Sequence, residues 1–118
     1  MENLKVRTKK FNLDCINFCT TIPKSREYDS LVRQLIRSSS SVGANYRAAN
    51  RAKSDKDFVN KLKIVEEEAD ESKYWLEIFD EILSINKDEN KRLITEANEL
   101  VAIIVASILT VRKRINNM

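Results

Sequence analysis

The sequence predicts an all-α protein, an up-and-down antiparallel four-helix bundle, and three observations carry that prediction. Apolar residues recur at three- and four-residue steps along almost the whole chain, the spacing of one helical face. Only one glycine, Gly43, and one proline, Pro23, occur in 118 residues. A β-protein with many turns would use more of both. The breaks between periodic stretches are short, and short connections make neighbouring helices antiparallel. A chain of this length buries roughly two-thirds of its unfolded surface, enough for one core, so residues 1–118 read as a single domain.

The first helix is expected from about residue 4 to 21. Phe11, Cys15, Phe18 and Ile22 step by four, three and four. Pro23 stops it, because the residue before a proline disfavours helical geometry. The second helix is expected from 27 to 53, with a stripe of Tyr28, Leu31, Leu35, Val42, Tyr46 and Ala49 widened by Val32 and Ile36. Its middle, Ser38 to Ser41 followed by Gly43, Ala44 and Asn45, is poor in helix formers. A loop is the alternative there. The stripe keeps its phase on both sides, which favours one helix with small residues at a close helix–helix contact.

Ser54 reads as an N-cap ahead of Asp57, so the third helix is expected from 54 to 85. Phe58, Leu62, Val65, Ala69, Ser72, Leu76, Phe79 and Leu83 alternate four- and three-residue steps, a heptad seam. Asn86 with Glu89 reads as a capping box for a fourth helix from 87 to 116. Its stripe is Leu93, Ala97, Leu100, Ile104, Ile108, Val111 and Ile115.

Composition narrows the chemistry. There is no histidine, which removes the commonest general base and zinc ligand. Cys15 and Cys19 lie four apart on one helix and read as small core residues in a reducing compartment. Two such ligands do not make a structural zinc site. The basic stretch from Met1 to Lys10 has no apolar run behind it and does not read as a secretory signal. The apolar run Leu100 to Val111 is too short for a membrane span and reads as a buried helix. The expectation is a cytoplasmic, non-enzymatic protein with no catalytic residue, cofactor, metal or membrane contact.

The segment from Ser38 to Phe79 carries a further signal. A small-residue run ending Ser41-Val42-Gly43-Ala44-Asn45 leads into a basic helix end (Arg47, Arg51, Lys53) and then a Glu-rich helix, Glu66 to Ser72. This pattern resembles the bacterial four-helix-bundle family of 23S rRNA intervening-sequence proteins. Ala48-Ala49 stands where many members read Glu-Gly. The family is in turn similar to the accessory proteins of diversity-generating retroelements, homopentamers that bind nucleic acid and a reverse transcriptase. The resemblance implies a four-helix bundle and a pentamer, and it brings no catalytic residue.

Charge is unevenly distributed beneath a net +3. Basic residues dominate from 30 to 65 and acidic ones from 66 to 99. In an up-and-down bundle the start of helix one, the end of two, the start of three and the end of four share one end. That end gathers Lys5, Arg7, Lys9, Lys10, Arg47, Arg51, Lys53, Lys56, Lys61, Lys63, Arg112, Lys113 and Arg114 against Glu2, Asp55 and Asp57. Cations at helix C-termini complement the helix dipole, which accounts for Lys53 and Arg112 to Arg114. It does not account for Lys5 to Lys10 or Lys56 to Lys63, near helix starts. Lys9, Lys10, Arg47, Arg51, Lys53, Lys56, Lys61, Lys63, Arg112, Lys113 and Arg114 are therefore the candidate nucleic-acid-binding residues, with RNA the expected partner and weak sequence preference. The alternative is an adaptor whose partner is another protein.

Other polar features have plainer readings. The carboxylates from Glu66 to Glu71 suit a solvated or inter-helix face better than a metal site. Asn45 suits a core amide that bonds a neighbouring helix. Tyr46, Tyr74 and Trp75 could stack on bases, although Trp75 lies off the seam and reads as an interface residue. Ile64, Trp75, Ile78, Ile82 and Ile85 form a second stripe on helix three, roughly 100–180° from its seam. Ala102, Ile103, Ala106 and Leu109 do the same on helix four. A monomeric bundle cannot bury both sides of a helix, so Ile64, Trp75, Ile78, Ile82, Ile103 and Leu109 are candidate contacts of a homo-oligomer.

Overall fold

The computed structural model describes residues 3–117. Glu2, counted with the expected basic end, lies outside them. Four helices form in chain order: α1 (Leu4–Cys19), α2 (Arg26–Ala49), α3 (Asp55–Ile82) and α4 (Lys87–Asn116), with no strand among the described residues.

Side-chain chemistry at the starts explains where three of them begin. Asn3 accepts from Lys5 N at 2.7 Å, Ser25 Oγ from Tyr28 N at 3.0 Å, and Ser54 Oγ from Asp57 N at 3.0 Å. Each occupies an orphan helix donor. The fourth start departs from expectation. Asn86 is left-handed (φ 55°, ψ 35°) and makes no side-chain cap. A capping side chain needs an extended backbone to aim at the first turn. Asn86 instead donates to Thr21 Oγ1 at 3.0 Å, and Glu89 holds Arg92 at 2.7 Å, so the capping box is absent.

Three helices end earlier than the periodicity suggested. α1 stops at Cys19 rather than 21, because the Thr20 and Thr21 hydroxyls donate back to Asn17 O and Phe18 O. α2 stops at Ala49, four residues short of Lys53. There Asn50 Nδ2 takes the Tyr46 carbonyl at 3.0 Å, and Arg51 N and Ala52 N fold into tight turns onto Ala48 O and Ala49 O. α3 ends at Ile82 rather than 85: Leu83 turns extended, yet keeps its side chain in the core. The serine–glycine stretch of α2 is helical throughout.

Each helix packs on its neighbours in the chain, and α1 closes the ring against α4. The pairs are antiparallel. Thr8 lies against Gly43 and Asn12 against Ser39 and Ser40; Arg7 reaches Glu96 while Asn86 reaches Thr21; Asp55 meets Arg114 while Asp80 meets Lys87. The core follows the seams. Leu62, Val65, Leu76 and Phe79 of α3 face Leu93, Leu100 and Ile104 of α4, all fully buried, and Phe18 meets Phe79 edge-on at 6.1 Å. Phe58 at the start of the α3 seam is only half-buried, and Ile115 at the end of the α4 seam is exposed.

Helix length sets the shape of the surface. At 1.5 Å per residue the 16 residues of α1 cover about 24 Å, against about 45 Å for the 30 of α4. α4 is also long and apolar enough over 18 residues to cross a membrane by length and composition. The run from 100 to 111 understated it, because the apolar stretch continues back past Glu96 and Glu99.

Candidate nucleic-acid interface

The expected basic end is staggered rather than flat. Arg7, near the start of α1, binds Glu96 through two nitrogens and Glu99 through one, each at 2.7 Å. Arg114, near the end of α4, binds Asp55 at 2.9 and 3.1 Å. Residues 99 and 114 are about 22 Å apart along a helix. The first helix therefore starts well short of the end of the fourth, so Lys5, Lys9 and Arg47 gather in one place and Lys53 and Arg114 in another.

The first group lies along the side. A cleft of about 410 Å³ opens between α1 and α2, lined by Lys5, Lys9, Asn12, Ser40, Gly43, Ala44 and Arg47. Its shape follows from residue size. A Cβ on Gly43 would lie 3.5 Å from Thr8 O, so only a methyl's width separates the two backbones there. Thr8 and Ser39 fill the buried side of that contact, while Ser38, on the face turned to α3, meets Ser72 at 2.8 Å. The longer chains of Lys5, Lys9 and Arg47 stand around the opening. The second group sits at the α2–α3 turn and the α4 terminus, where Lys53 and Arg114 line a groove with Asp55 and Phe58.

The candidate residues differ in their pairing. Lys10 is bound to Asp14 at 2.8 Å, Lys61 to Asp57 at 2.9 Å, and Arg114 to Asp55. These carboxylates are held below their usual range chiefly by the cation's hydrogen bond in the cases of Asp55 and Asp57. Lys9, Arg47, Arg51, Lys53, Lys56, Lys63, Arg112 and Lys113 are exposed and form no salt bridge among the described residues. Lys5 lines the cleft with Lys9 and Arg47 and was not among the candidates. Its signal was present as Lys5, Lys9 and Asn12 at four- and three-residue steps, facing Ser40, Gly43, Ala44 and Arg47 at the same kind of spacing.

The remaining polar features resolve simply. Glu68 and Glu71 both bind Arg37 of α2, and Glu71 also accepts from Trp75 Nε1 at 3.0 Å. The carboxylate run is in that part an inter-helix polar contact, and no metal-holding cluster occurs among the described residues. Asn45 does not reach a neighbouring helix: its amide donates to Ser41 O and Oγ one turn back, at 2.9 and 2.8 Å. Its half-exposed position lets it satisfy itself locally. Burial pushes the Cys19 thiol up to about 12 and raises Cys15 as well, so neither presents a thiolate at neutral pH.

The candidate oligomer residues lie on the outer surface. Ile64, Ile82 and Leu109 are exposed at 41%, 47% and 55%. Trp75, Ile78 and Ile103 are half-buried. Trp75 packs edge-on to exposed Tyr74 at 5.0 Å.

Comparison with known proteins gives two positive findings. The family model described as 23S rRNA-intervening sequence protein matches residues 2–106. A crystal structure of a protein of unknown function, from the S23 ribosomal protein family of Bacteroides thetaiotaomicron, superposes with a TM-score of 0.82. It is 28% identical and covers 90% of this chain and 98% of its own. No curated protein matches the chain.

Proposed function

The chain belongs to the 23S rRNA-intervening sequence protein family, and from that footing we propose a non-enzymatic, cytoplasmic helical-bundle protein that binds nucleic acid, RNA foremost, through its cationic surface. The observation that carries the reading is the gathering of unpaired cations. Lys5, Lys9 and Arg47 line one cleft that no carboxylate enters, and none of the three forms a salt bridge among the described residues. Unpaired cations release counterions from a phosphate backbone without needing base contacts, which gives affinity with weak sequence preference.

Self-association accompanies this reading. Ile64, Ile82 and Leu109 supply apolar surface for it, and the resemblance to diversity-generating retroelement accessory proteins supplies the number five. A ring would repeat the cationic surface around its axis. The same exposed stripes favour the second reading, an adaptor that grips a protein such as a reverse transcriptase.

The test is RNA affinity across a salt series, for the wild type and for a variant with Arg47→Glu, Arg51→Glu and Lys63→Glu, with mass followed by light scattering. Steep salt dependence in the wild type and a loss of at least tenfold in the variant are expected. Absence of salt-dependent binding, or equal binding by the variant, moves the function to the protein-adaptor reading. A monomer at micromolar concentration removes the oligomer.

A further inference from the structure

We infer that the α1–α2 cleft is a phosphate seat, in which backbone phosphodiesters of a bound nucleic acid lie against Gly43 and Ala44 between Lys5, Lys9 and Arg47. This rests on the nucleic-acid reading and assigns it a place.

Three features of the cleft converge on an anion. The first is its donor set. Asn12 Oδ1 accepts from Ser39 Oγ at 3.2 Å and Ser40 Oγ at 3.1 Å, which commits the carbonyl end of the amide to α2. Its amino group has no protein partner among the described residues and remains a free donor. Lys5, Lys9 and Arg47 can only donate. A phosphodiester presents acceptors alone, so every polar group on offer suits it.

The second is the absence of competing charge. No carboxylate lines this cleft. The groove at the α2–α3 turn contains Asp55, already bound to Arg114, and the one along α4 contains Asp88, Glu96 and Glu99 beside Lys91 and Arg92. A cleft lined by one sign of charge focuses potential and draws counter-ions. Helix dipoles account for only part of the arrangement. Arg47 sits favourably in the last turn of α2. Lys5 lies in the first turn of α1, which holds no acidic residue, and there the dipole opposes it.

The third is shape. From Lys5 to Asn12 the cleft follows α1 for about 10 Å, long enough for a run of phosphates rather than one ion. Exposed Ala44, which carries only a methyl, keeps its floor low, so a strand can approach the α2 backbone closely.

Gly43 is the only glycine in the sequence, which provides a direct probe. The full-length protein labelled with ¹⁵N-glycine gives a single glycine amide signal, from the floor of the cleft. It is titrated with a single-stranded oligouridylate and, separately, with inorganic pyrophosphate. The expected result is a saturable Gly43 shift with the oligonucleotide and a much weaker response to pyrophosphate. The Lys9→Ala/Arg47→Ala variant should lose at least tenfold in RNA affinity, and its salt slope should fall by about 1.4, roughly 0.7 for each phosphate contact removed. Ala44→Met, which fills the cleft without changing charge at an exposed helical position, should also weaken binding, with circular dichroism confirming the fold. RNA binding that leaves Gly43 unmoved and both variants at wild-type affinity overturns the seat while leaving the nucleic-acid reading intact. Pyrophosphate saturating Gly43 as tightly as the oligonucleotide overturns the backbone occupant. No RNA binding by the wild type overturns the reading and the seat together.

Discussion

The α3–α4 hairpin and the α1–α2 contact solve the same packing problem with opposite materials. The hairpin interdigitates large residues: Leu62, Val65, Leu76 and Phe79 against Leu93, Leu100 and Ile104, all fully buried. Beside the cleft the α1–α2 contact uses Thr8, Ser39 and Gly43, and brings backbones within van der Waals reach of an added Cβ. Large residues hold helices apart and fill the space between them. Small ones draw helices together and leave the longer side chains to wall a cleft. Stability is expected to concentrate in the hairpin, and the surface with unpaired donors falls beside the small-residue contact.

The strongest way to break this contrast is to empty the hairpin. Leu76→Ala removes a fully buried side chain in the C-terminal half of the α3 seam. The expected loss is about 2–5 kcal/mol, transfer and cavity terms together. Urea unfolding measures it. A loss below about 1 kcal/mol would mean the hairpin is not the stabilising half.

A smaller effect is expected from detaching the first helix. Arg7 binds Glu96 bidentately, with side chains 22% and 20% exposed, and Glu99 beside it. Those carboxylates hold the guanidinium charged well above its ordinary pKa, chiefly through the Glu96 hydrogen bond. Arg7→Ala should cost on the order of 1–2 kcal/mol, since a charge-assisted bidentate pair exceeds an exposed one. Hydrogen exchange should quicken in α1 much more than in α3. Equal loss of protection in both would make the two halves one cooperative unit.

The same contrast decides what the sequence could reveal. The hairpin was legible because a heptad of large residues has one reading, and Leu62 through Leu83 occupy the core as the spacing required. Starts with a capping serine were legible too, as at Ser54. Ends were not: α2 stops at Ala49 because Asn50 takes a carbonyl back, and periodicity carries no trace of that competition. The cationic residues were visible as a group, but the separation of Lys5, Lys9 and Arg47 from Lys53 and Arg114 was not. It depends on the stagger between α1 and α4, a length difference that pattern alone does not align. Pairing was hidden as well. Lys10, Lys61 and Arg114 looked like their neighbours, yet each has a carboxylate within 2.9 Å.

The smallest expected effect sharpens the contrast most, because its sign separates close contact from clash. Gly43 lies inside α2 in ordinary helical geometry, where glycine costs about 0.5–1 kcal/mol relative to alanine. An added Cβ would meet Thr8 O at 3.5 Å, Thr8 C at 3.7 Å and Lys9 Cα at 3.8 Å, ordinary van der Waals distances to backbone that cannot swing away. Nothing needs to move, so the unfolded chain loses freedom and the folded one gains contact. Gly43→Ala should therefore stabilise by about 0.5–1 kcal/mol, read as a higher urea midpoint at unchanged slope. Its methyl lies against α1 beneath the lysines, so the cleft should keep its RNA affinity within about threefold, under 1 kcal/mol. A destabilised Gly43→Ala would show that α1 and α2 approach more tightly than a methyl allows. The glycine would then be required by the packing of α1 on α2.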